Sequence, residues 1–403
     1  MRRLLLLLVV ALAACAPASE PETVRFASIN IEDIRTDDLR NLEHPRLKAL
    51  AAQIQELKPD VVLVNEIAYD MPGAPGYVDG ESFGLNAERF AANFLARPQG
   101  PTLQGIEYTA FMAPSNTGIN SGFDLNRNGE AVTTYPEPPS AAADGTPASQ
   151  TPGGRAYGDD SWGFGTFPGQ YAMGLLVRTD RIELLADQAR TFRRYPWAAL
   201  PDARRPVDPA TGEFWYPDEV WMRFPLSSKS HWDVPVRLPD GQIVHVLASH
   251  PTPAAFDGDE MRNKLRNHDE IRFWGAYIDG HEHMMDDAET RGGLAADAEF
   301  VIMGDLNADP DEGSSVDDPI GTWLLSNPRV NGDFVPVADE AGVAAYPDLD
   351  PDDTARWGLR VDYALPSAGL DVVGGGVYRP AADAPVTSDH FPVWIDVALR
   401  ADQ

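Results

Sequence analysis

The chain has 403 residues, enough for one large domain or two modest ones, and 62 acidic against 32 basic side chains give a formal charge of −30. A surface this acidic repels polyanions and lacks the basic footprint of a protein that grips long nucleic acid. It leaves room for a small phosphorylated substrate drawn to a local metal, and a single cysteine, Cys15, excludes intrachain disulfides.

The opening MRRLLLLLVVALAAC sets two arginines before an apolar run at 4–14 that is too short to span a bilayer. Leu12-Ala13-Ala14-Cys15 is similar to a bacterial lipobox. The pattern predicts a signal peptide over 1–14, lipid attachment at Cys15, a tether over 15–22 and one domain with long insertions over 23–400. Ala16, where a retention aspartate would stand, points to the outer membrane. The expected protein is exported, held to the membrane by its lipid anchor, and monomeric.

The segment 24–31 alternates as a strand does, and a helix pattern follows with Pro45 near its start and Leu47, Leu50, Ala51, Ile54 and Leu57 on one face. VVLVNEI, at 61–67, is apolar until Asn65-Glu66 and suits the interior of an α/β layer. Residues 70–168, rich in Gly, Pro, Asn and Ser, read as long loops. Further strands are expected at 171–178, 234–238, 243–250, 300–305, 360–366 and 392–399, with a helix over about 257–278.

Polar groups collect where these strands end. Asn30 and Glu66 close the first two, His250 closes 243–250, and Asp305 and Asn307 follow VIMG. Asp362 and Asp389-His390 instead open their strands, so an antiparallel course would bring all eight to one edge. The carboxylate and amide oxygens suit Mg²⁺, Mn²⁺ or Ca²⁺, and no Cys/His cluster of zinc type is present. A divalent ion could polarise a phosphoryl oxygen, while His390 supported by Asp362, or Asp305 itself, could deprotonate a water. His250 could donate a hydrogen bond to the phosphate or assist the leaving group.

The ordered set Asn30, Val-Asn-Glu66, Ser-His250, Gly-Asp305-Leu-Asn307, Arg-Val-Asp362-Tyr and Ser-Asp389-His390 resembles the endonuclease/exonuclease/phosphatase superfamily over about residues 22–400. The resemblance implies a four-layer α/β sandwich, two packed mixed β-sheets flanked by helices, with one active site at the edge. It implies that Glu66 is the main metal ligand, with Asn30 and Asp389 near the metal or its waters. Asp305 and Asn307 would orient or activate the attacking water and hold the phosphate, and Asp362 would orient His390. The His250-Pro251 pair replaces the family's usual His-Leu.

Three other stretches carry expectations. Lys229 and His231, among hydroxyls in SSKSHWD, could meet a substrate phosphate. Asp124-Leu125-Asn126-Arg127-Asn128-Gly129 matches the first half of a calcium loop, although Tyr135 stands where a bidentate Glu belongs; the alternatives are a structural Ca²⁺ and a glycine-closed polar turn. His281-Glu282-His283 reads as a solvated loop. The function expected is a metal-dependent phosphoesterase acting on a phosphorylated small molecule or lipid. The alternatives are an exported nuclease and a non-catalytic calcium-binding surface lipoprotein.

Overall fold

The computed structural model describes residues 22–400; Cys15 and the predicted signal peptide lie outside them. Strand β1 (Thr23–Ile34) leads through the short α1 (Thr36–Arg40) to α2 (Pro45–Leu57) and β2 (Val61–Ile67). Pro45 starts α2 without losing a needed N–H, and left-handed Lys58 ends it. The long 70–168 segment contributes α3 (Asn86–Phe90), β3 (Tyr108–Phe111) and α4 (Pro152–Asp159). Next come β4 (Met173–Arg178), β5 (Glu183–Leu184), β6 (Arg190–Thr191), α5 (Asp218–Trp221), β7 (His231–Arg237), β8 (Ile243–Ser249) and α6 (Arg262–Ile278). The chain closes with β9 (Glu299–Asp305), α7 (Glu340–Ala345), β10 (Asp362–Pro366), β11 (Val372–Val377) and β12 (Val393–Ala398).

Two mixed sheets result. One runs β11-β12-β1-β2-β4-β3 and the other β10-β9-β8-β7-β5, with β6 also on β7. β1 pairs parallel with β2, and β8 with β9; every other pairing is antiparallel. The even-odd pattern of β2 explains the layering. Val61 and Leu63 meet Val244, Val246 and Val301 between the sheets, while Val62 and Val64 meet Leu47, Leu50 and Ile54 of α2. On the far side, Ile271, Trp274 and Ile278 of α6 cover Leu247, Phe300 and Ile302. Helix, sheet, sheet, helix: the fold is a four-layer α/β sandwich.

Three boundaries depart from expectation for local reasons. α6 begins at Arg262 because Asp257 sits outside it, its carboxylate accepting the N–H groups of Asn263 and Lys264. β4 begins only at Met173, since Tyr171 is left-handed in a turn. β7 reaches back to His231, drawing that residue into the sheet. Within 70–168, β3 is an unexpected edge strand paired to β4. No helix among the described residues is long and apolar enough to cross a membrane.

Candidate active site

Register assembles the site. Asp362 lies directly opposite Asp305 in the β9/β10 ladder, and Asn30 is level with Asn65, next to Glu66, in the β1/β2 ladder. β10, which opens with Asp362, and β12, which Asp389-His390 shortly precede, run antiparallel to their neighbours, so the eight polar residues do share one edge. Gly304 makes the closest approach possible: a Cβ there would lie 1.8 Å from the Ser249 carbonyl oxygen.

The Asp305 carboxylate divides its work. Oδ1 accepts the Asn307 N–H at 2.9 Å, closing a turn in which Asn307 is left-handed. Oδ2 faces the site: it accepts Asn30 Nδ2 at 3.1 Å and stands 3.5 Å from His250 Nε2 and 3.7 Å from His390 Nε2. Asn30 Nδ2 also reaches Glu66 Oε1 at 3.2 Å, while Glu66 Oε2 accepts the Asp33 N–H. Glu66 holds its place in a left-handed backbone conformation, with φ at 65°, a strain typical of functional positions. Asn307 turns its amide nitrogen to the Pro251 carbonyl, tying the Asp305 turn to the loop that follows His250.

His390 Nδ1 is 2.7 Å from Oδ2 of the wholly buried Asp362, which leaves Nε2 facing Asp305 and, at 3.9 Å, the half-exposed Asp389. Burial pulls the imidazole down, but Asp362 and Asp305 outweigh it and hold His390 well above its ordinary range. Burial, with Asp389 adding, pushes Glu66 up to about 7. Burial likewise raises Asp305 to about 6, against the pull of His390. His250, whose Nδ1 has no partner, is held well below its usual value by burial, with Lys229 and His390 adding.

Glu66, His250, Asp305, Asn307, Asp389 and His390 line a cleft of about 1040 Å³, with Asn30 and Asp362 set behind them. Its floor carries uncompensated acid, which is where a cation belongs. One ligand atom each from Glu66, His250 and Asp305 lie within 4.8 Å of one another, as do single atoms of Asp305, Asp362 and His390. Carboxylates that burial drives toward neutrality are relieved by positive charge, and their oxygens are the hard donors that Mg²⁺ or Mn²⁺ prefers. The donor set fits a divalent cation.

Lys229 and His231 part company. Lys229 is buried at the cleft wall with one hydrogen bond, from Nζ to the Pro251 carbonyl at 3.2 Å. His231 corrects the expectation of a substrate contact: it is fully buried against Phe273 and Trp274 and does not line the cleft. Its Nε2 donates to the Glu270 carbonyl oxygen at 2.9 Å and its Nδ1 pairs with Ser227 Oγ at 2.5 Å. At 124–129 both Asp124 oxygens accept main-chain N–H groups, from Asn128 and Gly129, and the Tyr135 hydroxyl turns away to the Gly73 carbonyl. These hydrogen bonds close a polar turn around Asp124.

Two buried residues that carry no motif organise the site from behind. The Arg46 guanidinium meets only main chain: Nε donates to Gly145, Nη1 to Ile31 and Thr387, and Nη2 to Glu32. It thereby ties the end of β1 to the approach to Asp389-His390 and to the long insertion. Glu270 of α6 accepts the N–H of Ser228 at 2.6 Å and of Thr252 at 2.7 Å, fixing the loops that bear Lys229 and His250. A detectable signal exists for Glu270 alone, as part of the polar run Asn267–Glu270 inside an otherwise core-facing helix.

Among known proteins, the model of the Endonuclease/Exonuclease/phosphatase family matches residues 39–390. A comparison with curated proteins gave no match. Similar solved structures include an endonuclease/exonuclease/phosphatase from Beutenbergia cavernae, 17% identical, covering 94% of this chain and 72% of that one with a TM-score of 0.49. The human Nocturnin catalytic domain is 12% identical over 93% of this chain and 94% of its own, with a TM-score of 0.44. A mannosyl-6-phosphatase from Bacteroides thetaiotaomicron is 12% identical over 93% of this chain and 100% of its own, with a TM-score of 0.41. The match over 39–390 carries the assignment: the chain belongs to the endonuclease/exonuclease/phosphatase family, whose members are generally metal-dependent hydrolases of phosphate esters.

Proposed function

We propose that the protein is a divalent-metal-dependent phosphoesterase that hydrolyses a phosphodiester or phosphomonoester by attack of an activated water. The supporting observation is the buried Asp362–His390 pair, at 2.7 Å, aimed at a cluster of hard oxygen donors. Glu66, with Asp305 and Asp389 beside it, would hold the cation, which supplies polarisation of a phosphoryl oxygen and neutralises charge on the leaving oxygen. Asn30, expected beside the metal, instead turns Nδ2 to Glu66 and Asp305 and its Oδ1 to the Glu32 N–H, so it positions those carboxylates.

The remaining work falls to the chain. Asp362 fixes the His390 tautomer with its proton on Nδ1, leaving Nε2 to take a proton from water. His390 keeps that Nε2 site protonated while Asp305 and Asp389 stand uncompensated, and frees it as their charge is neutralised. Asp305 Oδ2, at the same point of the cleft, is the alternative acceptor. Lys229 and Asn307, both on the cleft wall, are placed to hold phosphate oxygens. The acidic surface favours a small ester over a long nucleic acid. Purified protein should hydrolyse bis(p-nitrophenyl) phosphate or p-nitrophenyl phosphate with Mg²⁺ or Mn²⁺. Replacing His390 or Glu66 by Ala should lower kcat by roughly 10²–10⁴. Unchanged turnover in both variants sinks the assignment.

The leader motif supports export and attachment through Cys15. Cell fractionation checks this: Cys15→Ser should move the protein from the membrane to the soluble fraction.

A further inference from the structure

Two large apolar rings stand exposed in the same cleft as the acid and histidine cluster. Phe256 is 86% exposed, more than any other large apolar side chain among the described residues, and Trp357 is 51% exposed. Most other tryptophans serve the core; Trp197, Trp232 and Trp274 are almost wholly buried.

Neither ring hangs on a loose loop. Trp357 occupies a turn closed by the Gly358 N–H to the Ala355 carbonyl and completed by Gly358 at φ 78°. That turn is fastened to the histidine strand: Arg356 donates its main-chain N–H to Asp389 and its Nε to Ser388, and the Phe391 N–H reaches Thr354. The indole therefore stands against His390, ring centroids 5.0 Å apart and planes at 88°. Phe256 lies on the loop that follows His250. On one side Ser314 Oγ donates to the Ala254 carbonyl and Asn263 Nδ2 to that of Ala255; on the other, Asp257 caps α6. Between these anchors Phe256 adopts φ 60°, an unfavourable conformation for a bulky residue, and keeps its ring outside the core.

We infer that Phe256 and Trp357 form a substrate subsite for a planar, uncharged aromatic group attached next to the scissile phosphate. The inference rests on the phosphoesterase reading of the same cleft. Flat faces carried on anchored loops and open to solvent stack on rings at modest entropic cost. Trp357 touches the histidine proposed as the base, and so borders the reaction centre of that reading. A second phosphate is disfavoured here, because eight carboxylates line the cleft against four cations, Arg155, Lys229, Arg262 and Arg266. A long acyl chain fits poorly too, since Ser314, Ser315 and those acids interrupt the apolar wall.

Three phosphonates, which the enzyme cannot hydrolyse, test this by calorimetry on the full chain in Mg²⁺ buffer. Phenylphosphonate should bind about tenfold more tightly than methylphosphonate and more tightly than n-hexylphosphonate. Phe256→Ala and Trp357→Ala should each shrink the phenyl-to-methyl ratio, and Trp357→Phe should keep most of it. The ratio is internal to each variant, so a general loss of fold weakens both ligands and leaves it readable. A ratio near one, a ratio intact in both alanine variants, or n-hexyl binding equal to phenyl overturns the aromatic subsite. If bis(p-nitrophenyl) phosphate is hydrolysed while phenylphosphonate fails to bind, the subsite alone is wrong. If neither is handled, the phosphoesterase reading has failed first.

Discussion

The chain contains Asp-Leu-Asn twice, and the two copies have nearly the same local chemistry with opposite surroundings. At 305–307 and at 124–126 the aspartate accepts a main-chain N–H from a residue further on, an ordinary turn. At 124 both carboxylate oxygens accept main-chain N–H groups, on a half-exposed loop. At 305 one oxygen makes the turn and the other is left free to meet Asn30, His250 and His390. A core strand delivers Asp305 to its partners, and nothing of the kind stands behind Asp124. The tripeptide closes a turn in both places and meets the buried acid and histidine cluster in one.

The contrast can be broken most forcefully at the acids. Asp305→Asn should lower kcat for bis(p-nitrophenyl) phosphate by roughly 10³ while the protein stays folded by circular dichroism. Asp124→Asn should leave kcat unchanged; a comparable loss there would erase the distinction. The glycines beside each triplet come next. Gly304→Ala must push a Cβ into the Ser249 carbonyl, and denaturant titration should show a loss of roughly 3 kcal/mol. Gly129→Ala meets no atom within 4 Å and pays only for its positive φ, roughly 1 kcal/mol.

A pH-dependent effect concerns the histidine that departs from expectation. Burial pushes His231 down to about 3 from an ordinary 6.5. The unfolded chain therefore binds a proton below pH 6.5 that the folded chain refuses until about 3. Stability from this group is complete above 6.5 and is lost as pH falls through that window, at roughly 1.4 kcal/mol per pH unit. A His231→Gln variant should show a shallower decline in stability between pH 6 and pH 4, measured by urea titration; an unchanged slope would place His231 in contact with water.

What is legible in the sequence divides along the same line. Alternation and apolar runs reveal β1, β2, β8 and β9, and a polar residue at the end of a buried strand has few reasons to be there except a site. Asn30, Glu66, His250, Asp305 and Asp362 can therefore be read before any contact is known. His231 misleads because SSKSHWD is polar in composition, yet β7 carries it into the core, where Ser227 and the Glu270 carbonyl satisfy it. Arg46 is invisible for another reason. Its four acceptors are main-chain carbonyls at 31, 32, 145 and 387, and main chain leaves no side-chain signature.

That arginine bears on how such a cleft could be redesigned. Gly145 belongs to the insertion that walls the cleft, whereas Ile31, Glu32 and Thr387 belong to the segments that carry Asn30 and the Asp389-His390 pair. One guanidinium clips wall and floor together, so the two are not independent modules. A transplanted insertion that fails to offer a carbonyl at the position of Gly145 would leave a buried N–H of Arg46 without its acceptor, and would disturb turnover along with specificity. Loop grafts meant to change what the cleft accepts should therefore carry residue 145 and its approach to Arg46 unchanged.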